Sequence, residues 1–196
     1  MKTVLVAWLL TAFTTCLMAQ TAADFPFKDI SETPENYTPE TLAVRMIQGL
    51  GFRYYWATEG LRPQDLAYRP TEEASSTLET LQHIYGLSNM IVQATKNESN
   101  VRVRSEDWDL EKLRVETLTN LETAIESLTT DPAPLAEREM IWGQGENRST
   151  LPFWNVINGP LADAIYHTGQ VVSFRRTSGN PLPKGVNVLT GTRRGQ

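Results

Sequence analysis

Three residues of this sequence have the types and spacing of metal ligands: His83, Asp163 and His167. Asp163 and His167 are four residues apart in a predicted helix, so their β-carbons lie about 5–6 Å apart on one face, close enough to hold one ion. His83 lies midway along another predicted helix, beside apolar residues. Two imidazoles and one carboxylate leave room for water, as in a catalytic zinc or iron site. Spacing alone also fits a surface aspartate and a core histidine bonded to a backbone carbonyl.

The first two predicted helices have clear start signals. Thr38 precedes Pro39, which is the usual order of a cap residue followed by proline at the first helical position. Ser76 and Glu79 form a capping box, in which each side chain accepts a hydrogen bond from the other residue's backbone N–H. The second helix therefore begins one to two turns before His83.

Two further helices follow, separated by a long crossover. The third begins near Asp109 and ends before Pro132, and residues 135–150 form a short hairpin or an irregular crossover. The fourth spans roughly residues 153–177, where Pro160 predicts a kink or a later true start because it lacks an N–H donor. The pattern predicts an all-α fold, a four-helix bundle with its long crossover between helices 3 and 4.

The two ends of the chain are expected to lie outside this bundle. Residues 1–19 have the positive start, apolar stretch and small-residue end of a secretory signal peptide. Residues 20–38 are predicted to form an extended N-terminal arm, residues 39–181 the bundle, and residues 182–196 a flexible C-terminal tail. The signal predicts export, to a periplasmic or extracellular location. No later run is long and apolar enough to predict an integral membrane span.

Charge and cysteine content exclude several classes of function. Removing Lys2 with the signal changes the formal charge from -5 to -6, and the basic residues form no stripe, which argues against nucleic-acid binding. The single cysteine, Cys16, is removed as well. The mature chain is therefore expected to use neither disulfides nor thiolates.

Several other side chains have two interpretations each. Glu79 is a fourth ligand, a general base or only the capping partner, and Gln170 either orients a ligand or bridges helices. Arg175 and Arg176 either face an anionic substrate or favour the negative end of their helix. Four aromatic residues are expected in the core or as pocket walls, with the core preferred: Tyr85, Trp142, Trp154 and Tyr166.

Two segments together resemble the DinB-like (YfiT-like) superfamily. Residues 163–170 read Asp-Ala-Ile-Tyr-His-Thr-Gly-Gln, and residues 175–181 read Arg-Arg-Thr-Ser-Gly-Asn-Pro. This is similar to the family's last helix, in which a ligand precedes a histidine by four residues, with Gly-Gln, an arginine and Gly-x-Pro beyond it. Residues 68–70, Tyr-Arg-Pro, followed by Ser76, Glu79 and His83, resemble the segment leading to the family's first histidine. The resemblance covers about residues 40–181.

The resemblance implies a four-helix bundle that holds a divalent metal with three side chains, usually all histidine. His83 and His167 match two of the three positions, and Asp163 stands at the third. The carboxylate adds negative charge and shifts the preference toward harder metals, so zinc, nickel, iron and manganese all stay candidates.

Two functions fit these expectations. The first is a divalent-metal-dependent enzyme, resembling thiol S-transferases or hydrolases of the family, that acts on an unidentified small-molecule substrate. The second is a non-catalytic exported helical protein, with a binding or structural role, that keeps a vestigial metal site. Individual catalytic residues beyond the three ligands are not identified by the sequence, which also leaves open whether the protein is a monomer or a homodimer.

Overall fold

The computed structural model describes residues 25–195 of the chain. The predicted signal peptide, residues 1–19, lies outside the described residues. Within them the protein is mostly helical, with four long helices and two short ones. The helices are α1 (Pro39–Thr58), α2 (Pro63–Ala67), α3 (Thr77–Thr95), α4 (Leu110–Thr130), α5 (Trp154–Val156) and α6 (Ala162–Thr177).

The predicted starts of the first three long helices are confirmed by their caps. Thr38 accepts a hydrogen bond from the backbone of the third residue of α1, and Asp109 does the same for α4. At the start of α3, the Ser76 N–H donates to Glu79 Oε2 at 2.6 Å, while the Glu79 N–H donates to Ser76 Oγ at 3.2 Å. These bonds satisfy backbone donors that a helix start leaves without partners.

The four long helices surround one apolar core. α1 packs against α4 and α6, and α3 packs against the same two helices from the other side. Each helix contributes side chains with no exposed surface, such as Leu50, Leu81, Leu113 and Val171. Burial of these apolar side chains stabilises the arrangement and fixes the faces that α3 and α6 present to each other.

A proline determines how the last long helix begins. Pro160 lies in a π-helical turn, Ile157–Leu161, and regular α-helix begins only at Ala162. Proline cannot donate to the α-helical ladder, and the wider turn accommodates its ring. The expectation of a kink or a late start is therefore confirmed, and Asp163 lies in the first turn of α6.

Two small antiparallel sheets correct the all-α prediction. In the crossover, β1 (Glu139–Trp142) pairs with β2 (Ser149–Pro152), which confirms the hairpin interpretation. In the tail, β3 (Val186–Asn187) pairs with β4 (Thr192–Arg193). The Ile30 N–H donates to the Gly191 carbonyl at 2.8 Å, so the tail expected to be flexible forms a hairpin packed on the N-terminal arm.

Candidate metal centre

The fold brings together the three residues that the sequence singled out. His83 on α3 faces Asp163 and His167 on α6, and one ligand atom from each residue lies within 4.8 Å of the other two. His83 Nε2 is 3.3 Å from Asp163 Oδ2, and His167 Nε2 is 3.3 Å from Asp163 Oδ1. Asp163 thus contacts both imidazoles with one carboxylate oxygen each, and the two rings meet edge to face with their centroids 4.6 Å apart.

A glutamine fixes the orientation of one imidazole. Gln170 Oε1 lies 2.7 Å from Nδ1 of His167, one turn along α6. Because an amide carbonyl oxygen only accepts, this contact fits the tautomer that carries its proton on Nδ1, and Nε2 is the nitrogen that faces Asp163. Two acceptors, the lone pair of a neutral imidazole and a carboxylate oxygen, repel unless a cation lies between them. The geometry therefore calls for a metal ion or a second proton at this point.

The centre opens to solvent. The side chains of His83, Asp163 and His167 are 52%, 43% and 22% exposed. Structural zinc sites are closed by four protein ligands, whereas catalytic sites keep a position for water or substrate. Three ligands at this exposure provide the open arrangement.

Glu79 serves the capping box rather than the centre. Its carboxylate accepts the Ser76 N–H and pairs with Arg69 at 3.2 Å. The Ser76 N–H, with smaller contributions from the Ser76 hydroxyl and Arg69, lowers the pKa of Glu79. The structure does not include it in the group that could hold an ion.

Arg175 has a structural role, so the interpretation that it faces an anionic substrate is wrong. It is buried, and Nη1 donates to the carbonyls of Trp56, Ala57 and Glu59, at the end of α1, at 2.9–3.2 Å. These carbonyls lack partners within their own helix. Burial lowers the pKa of Arg175. Its Nη1 bonds tie α6 to the end of α1, and its Nε donates to the Asn180 carbonyl at 2.6 Å. Arg176 is exposed on the other side of α6.

A second buried polar group lies beside Arg175. The side chain of Asp65 has no exposed surface and pairs with Arg62 at 2.8 Å. The Ser178 hydroxyl and the Asn180 amide also donate to it, at 2.6 and 2.7 Å. Arg62 above all, followed by these two donors, holds the pKa of Asp65 well below its usual range. This cluster joins α2 to the end of α6.

The aromatic residues divide between core and surface. Tyr85 is buried as expected, but Trp154 is 77% exposed and Tyr166 also faces solvent, so the preferred core interpretation is wrong for both. Tyr166 lies next to the centre, with its ring centroid 5.3 Å from that of His167. Periodicity could not separate these residues, because the π-helical turn changes the phase of the helix between them.

A cavity of about 460 Å³ lies beside His83 and was not foreseen from the sequence. It opens between α3 and the connection 96–109 that leads to α4. His83 belongs both to the metal candidate and to the cavity wall, which also includes Gly86, Asn89 and Ser105. The signal available in the sequence was a row of amide side chains on one face of the second predicted helix, followed by a long polar connection.

Comparison with known proteins identifies no family for this chain. No family model matches the chain, and no curated protein matches it. None of the described helices combines the length and apolar character needed to cross a membrane. The fold and site thus define a mostly helical protein with a candidate two-histidine, one-aspartate metal centre.

Proposed function

We propose that the protein is an exported, DinB-like four-helix bundle that acts as a divalent-metal-dependent enzyme on a small-molecule substrate. The observation that carries the proposal is the arrangement around His167. Gln170 Oε1 lies against Nδ1 of His167, the other ring nitrogen points at Asp163 Oδ1, and the second carboxylate oxygen contacts His83. The order of these residues along the chain supports the DinB-like assignment, since it repeats the order of the family pattern.

The donor atoms fit a first-row divalent ion. Bonds of about 2.0–2.2 Å to nitrogen and oxygen place tetrahedral donors about 3.4 Å apart. Asp163 makes its two 3.3 Å contacts with different oxygens, Oδ2 to His83 and Oδ1 to His167. One ligand atom from each residue lies within 4.8 Å of the other two, so a bound ion would draw the donors slightly closer together. Two imidazoles with one carboxylate suit zinc, nickel, iron or manganese, since imidazole binds the later metals and the carboxylate the harder ones.

We infer the type of reaction from the coordination positions that the three protein ligands leave open. A bound divalent metal would supply Lewis-acid polarisation of a substrate carbonyl or of water. Asp163 and the two histidines hold the donor set, and Gln170 keeps His167 from rotating. Hydrolysis is the reaction we favour over thiol transfer, because the predicted export separates the site from cytosolic thiols.

Cobalt binding tests the proposal. The mature chain from Gln20, without a histidine tag, is titrated with Co²⁺ while its visible spectrum is recorded. We expect one equivalent to give the intense bands of four- or five-coordinate cobalt, and acetohydroxamate to change them by occupying the open positions. The matched variants His83→Ala and Asp163→Ala should give only the weak spectrum of cobalt in water.

The opposite result would support a non-catalytic bundle with a vestigial site. In that case cobalt would not bind, and Asp163→Leu would raise the melting temperature, because the carboxylate would face acceptors without a cation. With cobalt bound, the same substitution removes a ligand and abolishes the metal-dependent gain in stability.

A further inference from the structure

The cavity beside His83 is built by side-chain amides that hold the connection 96–109 away from α3. Gln82 Nε2 donates to the Glu106 carbonyl at 3.0 Å, and Asn89 Nδ2 donates to the Val101 carbonyl at 2.8 Å. One turn further on, Gln93 Oε1 accepts the Val101 N–H at 2.9 Å. These three residues share one face of α3, since they are spaced by two turns and then one turn of the helix. They anchor the connection at both ends and leave a gap between them.

A glycine leaves this gap empty. Gly86 lies on the same face, one turn after His83, and a β-carbon added there would meet open space. Glycine in the middle of a helix costs roughly 0.5–1 kcal/mol relative to alanine. Any larger residue here would extend into the space between His83 and the connection. The glycine therefore keeps open a space that leads to the metal candidate.

The wall of the cavity has a neutral polar part, an apolar part and, in the connection, the exposed ion pair of Arg102 and Glu106 at 3.5 Å. Asn89 and Ser105 line the cavity and are otherwise almost completely buried, at 9% and 7% exposed. Asn89 uses its N–H on the connection, which leaves its oxygen as an acceptor for a ligand. Met90 and Val103 supply an apolar surface. A ligand that fits this wall has an N–H donor next to an aliphatic group.

We propose that this cavity binds the body of a peptide-like amide, an acylated amine with an aliphatic side chain, whose carbonyl lies at the metal centre. The proposal rests on the proposed function and names its substrate class. The volume of about 460 Å³ is in the usual range of roughly 300–1,000 Å³ for small-molecule sites. His83 links the two parts, because it is both a ligand candidate and a cavity wall.

Two hydroxamates separate the cavity from the metal. Acetohydroxamate reaches only the metal, whereas N-acetyl-leucine hydroxamate adds an amide and an aliphatic side chain. Dissociation constants for both are measured by calorimetry on the zinc-loaded protein. We expect the longer compound to bind about tenfold more tightly, the gain that an aliphatic group makes in a fitting pocket. The methyl signal of Met90 in an NMR spectrum should shift with the longer compound alone.

Two variants at glycine positions test whether the tenfold gain in affinity arises in the cavity. Gly86→Phe fills the cavity and should remove the tenfold difference while acetohydroxamate binds as before. Gly169→Phe is the matched control, because a β-carbon at Gly169 on α6 also meets open space but the residue does not line the cavity. This variant should keep the difference.

Each result decides between the proposals. A longer compound that gains nothing, leaves Met90 unchanged, or keeps its gain in Gly86→Phe overturns the cavity proposal and leaves the metal centre standing. Failure of both hydroxamates to bind the protein in the presence of zinc overturns the metal centre and the cavity proposal together.

Discussion

Replacing Gln170 by leucine should weaken metal binding by about tenfold. The substitution removes the acceptor that lies 2.7 Å from Nδ1 of His167 and holds the ring toward Asp163. Loss of a hydrogen bond between neutral groups costs about 0.5–1.5 kcal/mol, and 1.4 kcal/mol is a factor of ten in affinity. His167 is 22% exposed, so water replaces part of the lost bond. The lower end of the range of about 10–100-fold for such partners of metal ligands is therefore expected.

The assay is a competition between the protein and a chromophoric chelator for zinc. Gln170→Glu is the matched control, because a carboxylate also accepts from Nδ1 and should keep the affinity at least at the parent value. Melting curves of the metal-free proteins show whether either change affects the fold itself. Zinc binding by Gln170→Leu at the parent affinity, with the fold intact, would refute the role assigned to the Gln170–His167 bond.

Three further predictions concern stability. Asp65→Asn should lower the free energy of unfolding at neutral pH by on the order of 3 kcal/mol. The pKa of Asp65 is lowered in the fold, so its carboxylate stabilises the protein fully above the ordinary value of 3.8 and loses this effect as the pH falls below it. Urea unfolding between pH 2 and 7 should therefore show a smaller loss of stability in acid for the variant than for the parent. Arg175→Met should cost on the order of 3 kcal/mol in the same assay at pH 7, because it leaves carbonyls at the end of α1 without partners, and an unchanged midpoint would contradict this. Gly86→Ala should raise the free energy of unfolding by about 0.5–1 kcal/mol, because alanine favours the helix and meets open space there. Gly51→Ala should lower it, because a β-carbon at Gly51 collides with the Phe27 ring. Equal melting temperatures of the two variants would contradict this difference.

Local signals in the sequence predicted much of the helical frame. Capping residues depend on neighbours within one turn, so Ser76 with Glu79 was enough to place the start of α3. The spacing of Asp163 and His167 likewise placed both on one face of α6. Their approach to His83, eighty positions away, followed from the resemblance rather than from spacing.

Features that depend on distant contacts were missed. The tail hairpin forms against the N-terminal arm through Gly191, and no local pattern indicates that contact. The cavity depends on where Asn89 holds the connection to α4, which a helix-face pattern does not reveal. Neither sequence-based interpretation of Arg175 predicted its burial, because its partners, the last carbonyls of α1, lie more than a hundred positions earlier.

The central claim is that His83, Asp163 and His167 hold one divalent metal. It is tested most directly by elemental analysis of the chain from Gln20, the first residue after the predicted signal peptide, purified without a histidine tag, beside His83→Ala and Asp163→Ala. Each protein is also incubated with zinc, nickel, manganese and ferrous iron and then passed through a desalting column. We predict close to one metal per parent chain and loss of that metal in both variants. A parent chain that holds no metal after any of these incubations, or variants that hold as much as the parent, would contradict the account.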